Sequence, residues 1–210
     1  SLLRTERVMS RLDQINGPAD IRRIPAAEWG ALASEIRRFL ISHCAESGGH
    51  LASNLGVVEL TMAMYLSFCP PEDKIIYDIS HQTYPHKMLT GRKEAYTDPA
   101  HYDDVSAYSN PKESPHDFFE LGHTSVSIDL ALGMAKARDL LGGTEKVVAV
   151  IGDGSLSGGE ALEGLNTAGE FKGQFLILVN DNQMSIAENH GGLYASLKAL
   201  RESNGTSENN

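Results

Sequence analysis

Cysteine is scarce in this sequence. Cys44 and Cys69 are the only two in 210 residues, and no CxxC pattern exists, which argues against disulfide or dithiol chemistry. Each sits in an apolar, helix-like stretch, so both are expected as reduced core thiols. Long apolar runs are also missing. None approaches the roughly 18 residues a bilayer-spanning helix needs, and the N-terminal Ser1-Leu2-Leu3-Arg4-Thr5-Glu6-Arg7 lacks the apolar core of a signal peptide. Basic runs are absent too: 18 Lys+Arg stand against 28 Asp+Glu, a net charge of −10. That balance argues against non-specific binding to nucleic acid or anionic membrane. It leaves room for a phosphate ligand, because backbone N–H groups and a metal ion handle such an anion locally. There are no repeats and no low-complexity segment. The default is a cytoplasmic bacterial enzyme.

What remains is an ordinary globular composition, 41% hydrophobic and 22% charged, long enough for one domain with a real core. Residues 1–25 are polar and read as a leader with one short helix, leaving 26–210 as the domain. Trp29, Leu32, Ile36, Phe39, Leu40 and Cys44 recur at helical spacing over 26–46, and Ser47-Gly48-Gly49-His50 ends that helix. A second helix follows, with Ser53 or Asn54 as N-cap, and Cys69-Pro70-Pro71 stops it. Residues 74–79 read as a buried strand and 92–118 as a long loop. Gly122-His123-Thr124-Ser125 opens a helix reaching Leu141. Residues 146–151 and 175–179 are strands joined by a helix over 157–172, a βαβ unit whose strands are expected to be parallel and adjacent. Beyond them the chain turns polar, and 203–210 reads as a loop cut short. The fold class is therefore α/β, a mostly parallel sheet flanked by helices.

The chemistry sits where those last two strands end. The first runs into Gly152-Asp153-Gly154-Ser155 and the second into Asn180-Asp181-Asn182-Gln183-Met184-Ser185. Ligands of a parallel α/β sheet bind at that edge, so Asp153 and Asn182 are expected side by side. A carboxylate with an amide oxygen suits Mg²⁺, which takes hard oxygen ligands and completes its shell with phosphate and water. The glycines flanking Asp153 let backbone approach a bulky anion, and Gly122-His123-Thr124 at a helix start offers further N–H groups. Singly, a Gly-Asp-Gly or an Asn-Asp-Asn is more often a turn. One on each strand of a single βαβ unit points to a metal-diphosphate site.

The span from Gly152-Asp153-Gly154 to Asn180-Asp181-Asn182 resembles the thiamine-diphosphate motif of transketolases, decarboxylases and their relatives. Three further stretches resemble one branch, the 1-deoxy-D-xylulose-5-phosphate synthases: Ser47-Gly48-Gly49-His50-Leu51-Ala52-Ser53-Asn54-Leu55-Gly56, then Tyr77-Asp78-Ile79-Ser80-His81-Gln82-Thr83-Tyr84-Pro85-His86-Lys87, and Gly122-His123-Thr124-Ser125-Val126-Ser127. By match, the resemblance implies a transketolase-type fold. It implies thiamine diphosphate and Mg²⁺ as cofactors, with Asp153, Asn182 and the Met184 carbonyl on the metal. It places His81, Gly122, His123, Thr124, Gly154, Ser155 and Asn182 on the cofactor, and His50 and His81 in proton transfer.

The implied reaction condenses pyruvate with D-glyceraldehyde 3-phosphate to 1-deoxy-D-xylulose 5-phosphate and CO₂, feeding isoprenoid, thiamine and pyridoxal synthesis. The cofactor carries the hard chemistry and the protein orients it. The family's diphosphate domains pair as homodimers, and its pyrimidine-binding and C-terminal domains follow. This chain is therefore expected to be a fragment or one subunit of a split enzyme, inactive alone. A transketolase-like subunit using ketose phosphates and a non-catalytic cofactor-binding or dimerising module are the alternatives. His86, His101, His116 and His190 are expected to be structural or solvated, and His43 a satisfied helix histidine. Glu59 is not the family's pyrimidine-activating glutamate. Residues 93–121 fit the family pattern poorly, which leaves substrate preference open.

Overall fold

The computed structural model describes residues 10–181 and 190–205. The three apolar runs form strands β1 (Lys74–Tyr77), β2 (Val147–Gly152) and β3 (Leu176–Asn180). They lie in the order β1-β2-β3, all parallel. Side chains alternate across a strand, so each strand feeds two cores. Ile75, Tyr77, Val148, Val150 and Leu178 face one layer; Ile76, Val147, Ala149, Ile151 and Ile177 face the other. Helices on both faces bury β1 and β2, and this is why those runs show no polar alternation, whereas β3 leaves Leu176 and Val179 exposed.

The first layer holds α1 (Trp29–Ser47), α2 (Leu51–Leu55), α3 (Val58–Ser67) and α4 (Tyr84–Lys87). The helix expected after Gly49 is two helices, broken at Gly56-Val57, and Asn54 lies inside α2 rather than capping it. The second layer holds α6 (Ser127–Leu141) and α8 (Gly159–Glu170), with the single turn α7 (Asp153–Leu156) between β2 and α8. A short helix α5 (Glu94–Thr97) lies earlier in the chain. Leu193 and Leu197 of the last helix, α9 (Gly192–Gly205), pack on the second core. The polar tail thus contains a helix as far as 205, and the apolar pair it sets on the core is spaced i, i+4.

Residues 10–25 are no detached leader. Leu12, Ile15, Ile21 and Ile24 are buried in the first core, each contributing about 1.5–3 kcal/mol. They escape a periodic reading because short 3₁₀ turns carry them. Lys93 Nζ fixes those turns, donating to the carbonyls of Leu12, Asp13 and Ile15 and to Asn16 Oδ1 at 2.6–3.2 Å. Cys69 is exposed, not a core thiol, and only Cys44 packs against the core.

The expected loop over 92–118 has structure: a π turn at Met88–Arg92, α5 and a 3₁₀ turn at Pro99–His101. Buried charges hold it. Arg92 grips both oxygens of Asp117 at 2.8 and 2.9 Å, and His86 Nε2 donates to Asp117 Oδ1 at 2.7 Å. His86 Nδ1 accepts from the Tyr65 hydroxyl. Burial alone would raise Asp117, but His86 and Arg92 hold its carboxyl well below the usual range. Burial pushes His86 down to about 4, against the pull of Asp117, so the pair is a neutral imidazole on a carboxylate.

Unfolded, His86 titrates near 6.5, whereas folded it stays neutral down to about 4. Between those values the unfolded chain binds more protons. Stability is therefore full above the higher value and drains away as pH falls toward the lower. Urea unfolding across that window should lose up to about 3 kcal/mol from this residue, and His86→Gln should flatten that part of the profile.

Candidate functional site

All three strands end at one edge of the sheet, and the register aligns their ends: Tyr77 pairs with Val150 and Gly152 with Asn180. The Asp78 N–H still donates to the Val150 carbonyl at 2.7 Å, after which Ile79 and Ser80 turn with φ of 57° and 74° and lift His81 away from the strand. The strand expected to reach Ile79 therefore stops at Tyr77.

His50 arrives from the other side. Gly48 and Gly49 take φ of 77° and 114° as α1 ends, and a Cβ at Gly49 would stand 2.7 Å from the Tyr84 hydroxyl. Only glycine meets both demands. The buried Asn54 amide then joins the two histidine turns. Its Nδ2 donates to the His50 and His81 carbonyls at 2.8 and 2.9 Å, and its Oδ1 accepts from the Tyr84 N–H at 2.9 Å. The imidazoles stand edge to face, centroids 5.2 Å apart. The Nδ1 of each is buried with no hydrogen-bond partner among the described residues. Burial lowers the His81 pKa, the neighbouring His50 lowers it further, and Asp78 partly opposes them. The shift favours the neutral ring, which has one nitrogen to accept a proton and one N–H to donate a hydrogen bond.

Asp78 lies three residues before His81, and its buried carboxylate accepts from the N–H groups of Ser125 and Ser127 at 2.8 and 3.0 Å. α6 therefore begins at Ser127, not at Gly122. The N–H groups at the true start of α6 are thus capped by this carboxylate, and Gly122, His123 and Thr124, whose N–H groups were expected to meet an anion, precede the helix. Thr124 reaches Ser155, hydroxyl to hydroxyl, at 2.7 Å, and Ser125 Oγ donates to the Ser155 carbonyl at 2.7 Å. Gly122, His123 and Thr124 are exposed, and His123 Nδ1 donates to the Thr124 carbonyl. Asp153 is buried and Gly154 exposed. Tyr194 of α9 donates to the Asp153 carbonyl at 3.1 Å and to Ser157 Oγ at 2.8 Å.

Asn182 and Met184, the other expected metal ligands, lie outside the described residues. Among the described residues no cluster of three His, Cys, Asp or Glu forms a metal site. The expected set, one carboxylate with two neutral oxygens, needs none. A cavity of about 460 Å³ beside Arg138, Lys146 and Leu176 opens at the amino-terminal edge of β2 and β3. That is the edge opposite Asp153, and parallel sheets bind their ligands at the carboxyl edge.

The other histidines have separate settings. His86, His101 and His116 are hydrogen-bonded to Asp117, Asp104 and Ser114. His43 packs among Tyr84, Tyr96 and Tyr102, its Nδ1 without a hydrogen-bond partner. Glu59 pairs with Arg37 on the surface. Asn54 and Asp78 stood within the quoted motifs. Their work as clamp and cap was not readable there, because it joins segments far apart in sequence.

The family model described as 1-deoxy-D-xylulose-5-phosphate synthase, N-terminal part, matches residues 12–210. The chain belongs to the 1-deoxy-D-xylulose-5-phosphate synthase family. It is 54% identical over 182 residues to the synthase of Lachnoclostridium phytofermentans, covering 87% of this chain and 29% of that protein. It is 52% identical over 186 residues to synthase 2 of Geobacter sulfurreducens, covering 88% and 30%. With the synthase of Clostridium beijerinckii it shares 48% over 193 residues, covering 92% and 31%. The chain thus spans less than a third of the length of these synthases. Among the described residues no helix is long and apolar enough to cross a membrane.

Asn54→Ala should leave the His50 and His81 carbonyls and the Tyr84 N–H without their buried partner. A loss of about 2–4 kcal/mol in urea unfolding is expected, together with broadened His50 and His81 imidazole resonances.

Proposed function

We propose that this chain is the diphosphate- and metal-binding part of an enzyme that condenses pyruvate with D-glyceraldehyde 3-phosphate to 1-deoxy-D-xylulose 5-phosphate and CO₂. The observation that carries the reading is a convergence at one sheet edge, in a member of this family. Asp153, the Thr124–Ser155 pair and the His50–His81 pair all lie on turns that follow the strands or are tied to them. Two buried imidazole nitrogens there have no partner among the described residues, a state that suits a site made to take a polar ligand.

On this reading Asp153, Asn182 and the Met184 carbonyl hold Mg²⁺, and Gly122, His123, Thr124, Gly154 and Ser155 surround the diphosphate. Thiamine diphosphate, when bound, supplies the carbon nucleophile and the electron sink for decarboxylation. The chain's own residues do the rest. Asn54 fixes the spacing of the imidazoles, Asp78 fixes the loop carrying Thr124, and His50 and His81 exchange protons at the substrate's carbonyl oxygen. The 210 residues alone are expected to bind cofactor weakly and to turn nothing over, with catalysis in the longer protein, paired with a second copy.

Calorimetric titration of thiamine diphosphate with and without Mg²⁺, beside Asp153→Ala, tests the site. Mg²⁺-dependent binding weakened at least about 100-fold in the variant is expected. Equal binding by both proteins would remove Asp153 from the metal. Assay of the longer protein with pyruvate against xylulose 5-phosphate tests the donor, and turnover of only the ketose phosphate would overturn the reaction proposed.

A further inference from the structure

Lys87 has no part in the site as the motifs define it, yet its side chain is fully buried. Its Nζ donates to the Ser106 and Tyr108 carbonyls and to Glu113 Oε2, each at 2.7 Å. An ammonium has three donors, and these partners use all of them. Ser106 Oγ also donates to the Tyr108 carbonyl at 2.7 Å, and the next N–H, of Ser109, donates to Ser80 Oγ at 2.9 Å. Tyr108 is therefore fixed from two directions, by a lysine at the end of α4 and by the turn that carries His81. The result is the placement of its ring, T-shaped against His50 with centroids 5.8 Å apart. Burying an ammonium is costly where an apolar side chain would fill the same volume, so its use here calls for something packing alone does not provide.

We propose that Lys87 is a positioning residue that sets the Tyr108 ring against His50, and that this ring is a wall of the donor pocket restricting it to a short 2-oxo acid. The inference rests on His50 belonging to the substrate site, as the function proposed above has it.

The test uses the longer protein with thiamine diphosphate and Mg²⁺, and compares Tyr108→Phe, Tyr108→Ala and Lys87→Met. The ratio of kcat/KM for 2-oxobutanoate over pyruvate should rise about 3- to 10-fold in Tyr108→Ala. Lys87→Met should match it, because Arg92 still reaches Glu113 at 3.3 Å while the Tyr108 carbonyl loses its lysine. Tyr108→Phe keeps the ring and should keep the wild-type ratio. With histidine labelled at Cε1 and the His50 line assigned from His50→Gln, Tyr108→Ala and Lys87→Met should shift that line alike and Tyr108→Phe should not. An unchanged ratio and an unchanged His50 line in Tyr108→Ala would overturn the proposal, even if Lys87→Met failed to fold. A folded Lys87→Met with both wild-type readouts would remove Lys87 from it. A wild-type enzyme inert to pyruvate would overturn the function proposed above, and the His50 line would then decide the placement of Tyr108 alone.

Discussion

The parallel register of the three strands is the constraint on which the site depends. Because Gly152 pairs with Asn180 and Tyr77 with Val150, the segments that follow them leave the sheet at one edge and at nearly one height. A slip of one residue would turn each strand's side chains to the opposite layer and stagger the ends by about 3.3 Å. The two-sided burial of β2 forbids that slip. Val148 and Val150 fill one core while Val147, Ala149 and Ile151 fill the other. The core is in this sense the alignment device of the site.

The strand ends are only half of the arrangement, and the rest is irregular chain held by buried polar groups. Asn54, Asp78, Lys87, Lys93 and Arg92 each join segments from different parts of the sequence. The four charged ones contribute little net stability, because desolvating a charge offsets most of what its hydrogen bonds return, although truncating any of the five would strand its buried partners. Their contribution is specificity of position. An apolar contact tolerates a shift of an ångström, whereas a lysine with three carbonyl or carboxylate partners does not.

This division explains what was legible in the sequence. The strands, the βαβ unit and α1 announce themselves through local pattern, because burial imposes a period on neighbouring residues. The place of Asp153 at the end of β2 was legible from the strand before it, and the motifs singled out His50 and His81, which the fold brings together. The burial of Leu12 and Ile15 was not, since 3₁₀ turns of three residues have too little length to show a period. Nor was α9, whose contacts with the core amount to two leucines. The capping of α6 by Asp78 lay furthest from reach. An aspartate after a strand reads as a turn residue, and only the fold shows that its partners lie 47 and 49 positions away.

Backbone strain follows the same geography. Among the described residues three non-glycines have positive φ, Ile79, Ser80 and Ser125, and each such residue costs on the order of 1–3 kcal/mol. All three flank Asp78 or bond to it. Close approach occurs there as well: a Cβ on Gly158 would fall 1.9 Å from Ser125 Oγ. The chain accepts unfavourable dihedrals at the one place where the His81 turn, the Thr124 loop and the start of α6 converge on a single carboxylate. Relaxing any of them would lengthen a bond to Asp78 and separate the histidine pair from the Thr124–Ser155 pair. On the function proposed, the strain holds two halves of one site together, a need that no packing requirement of the surrounding helices would impose.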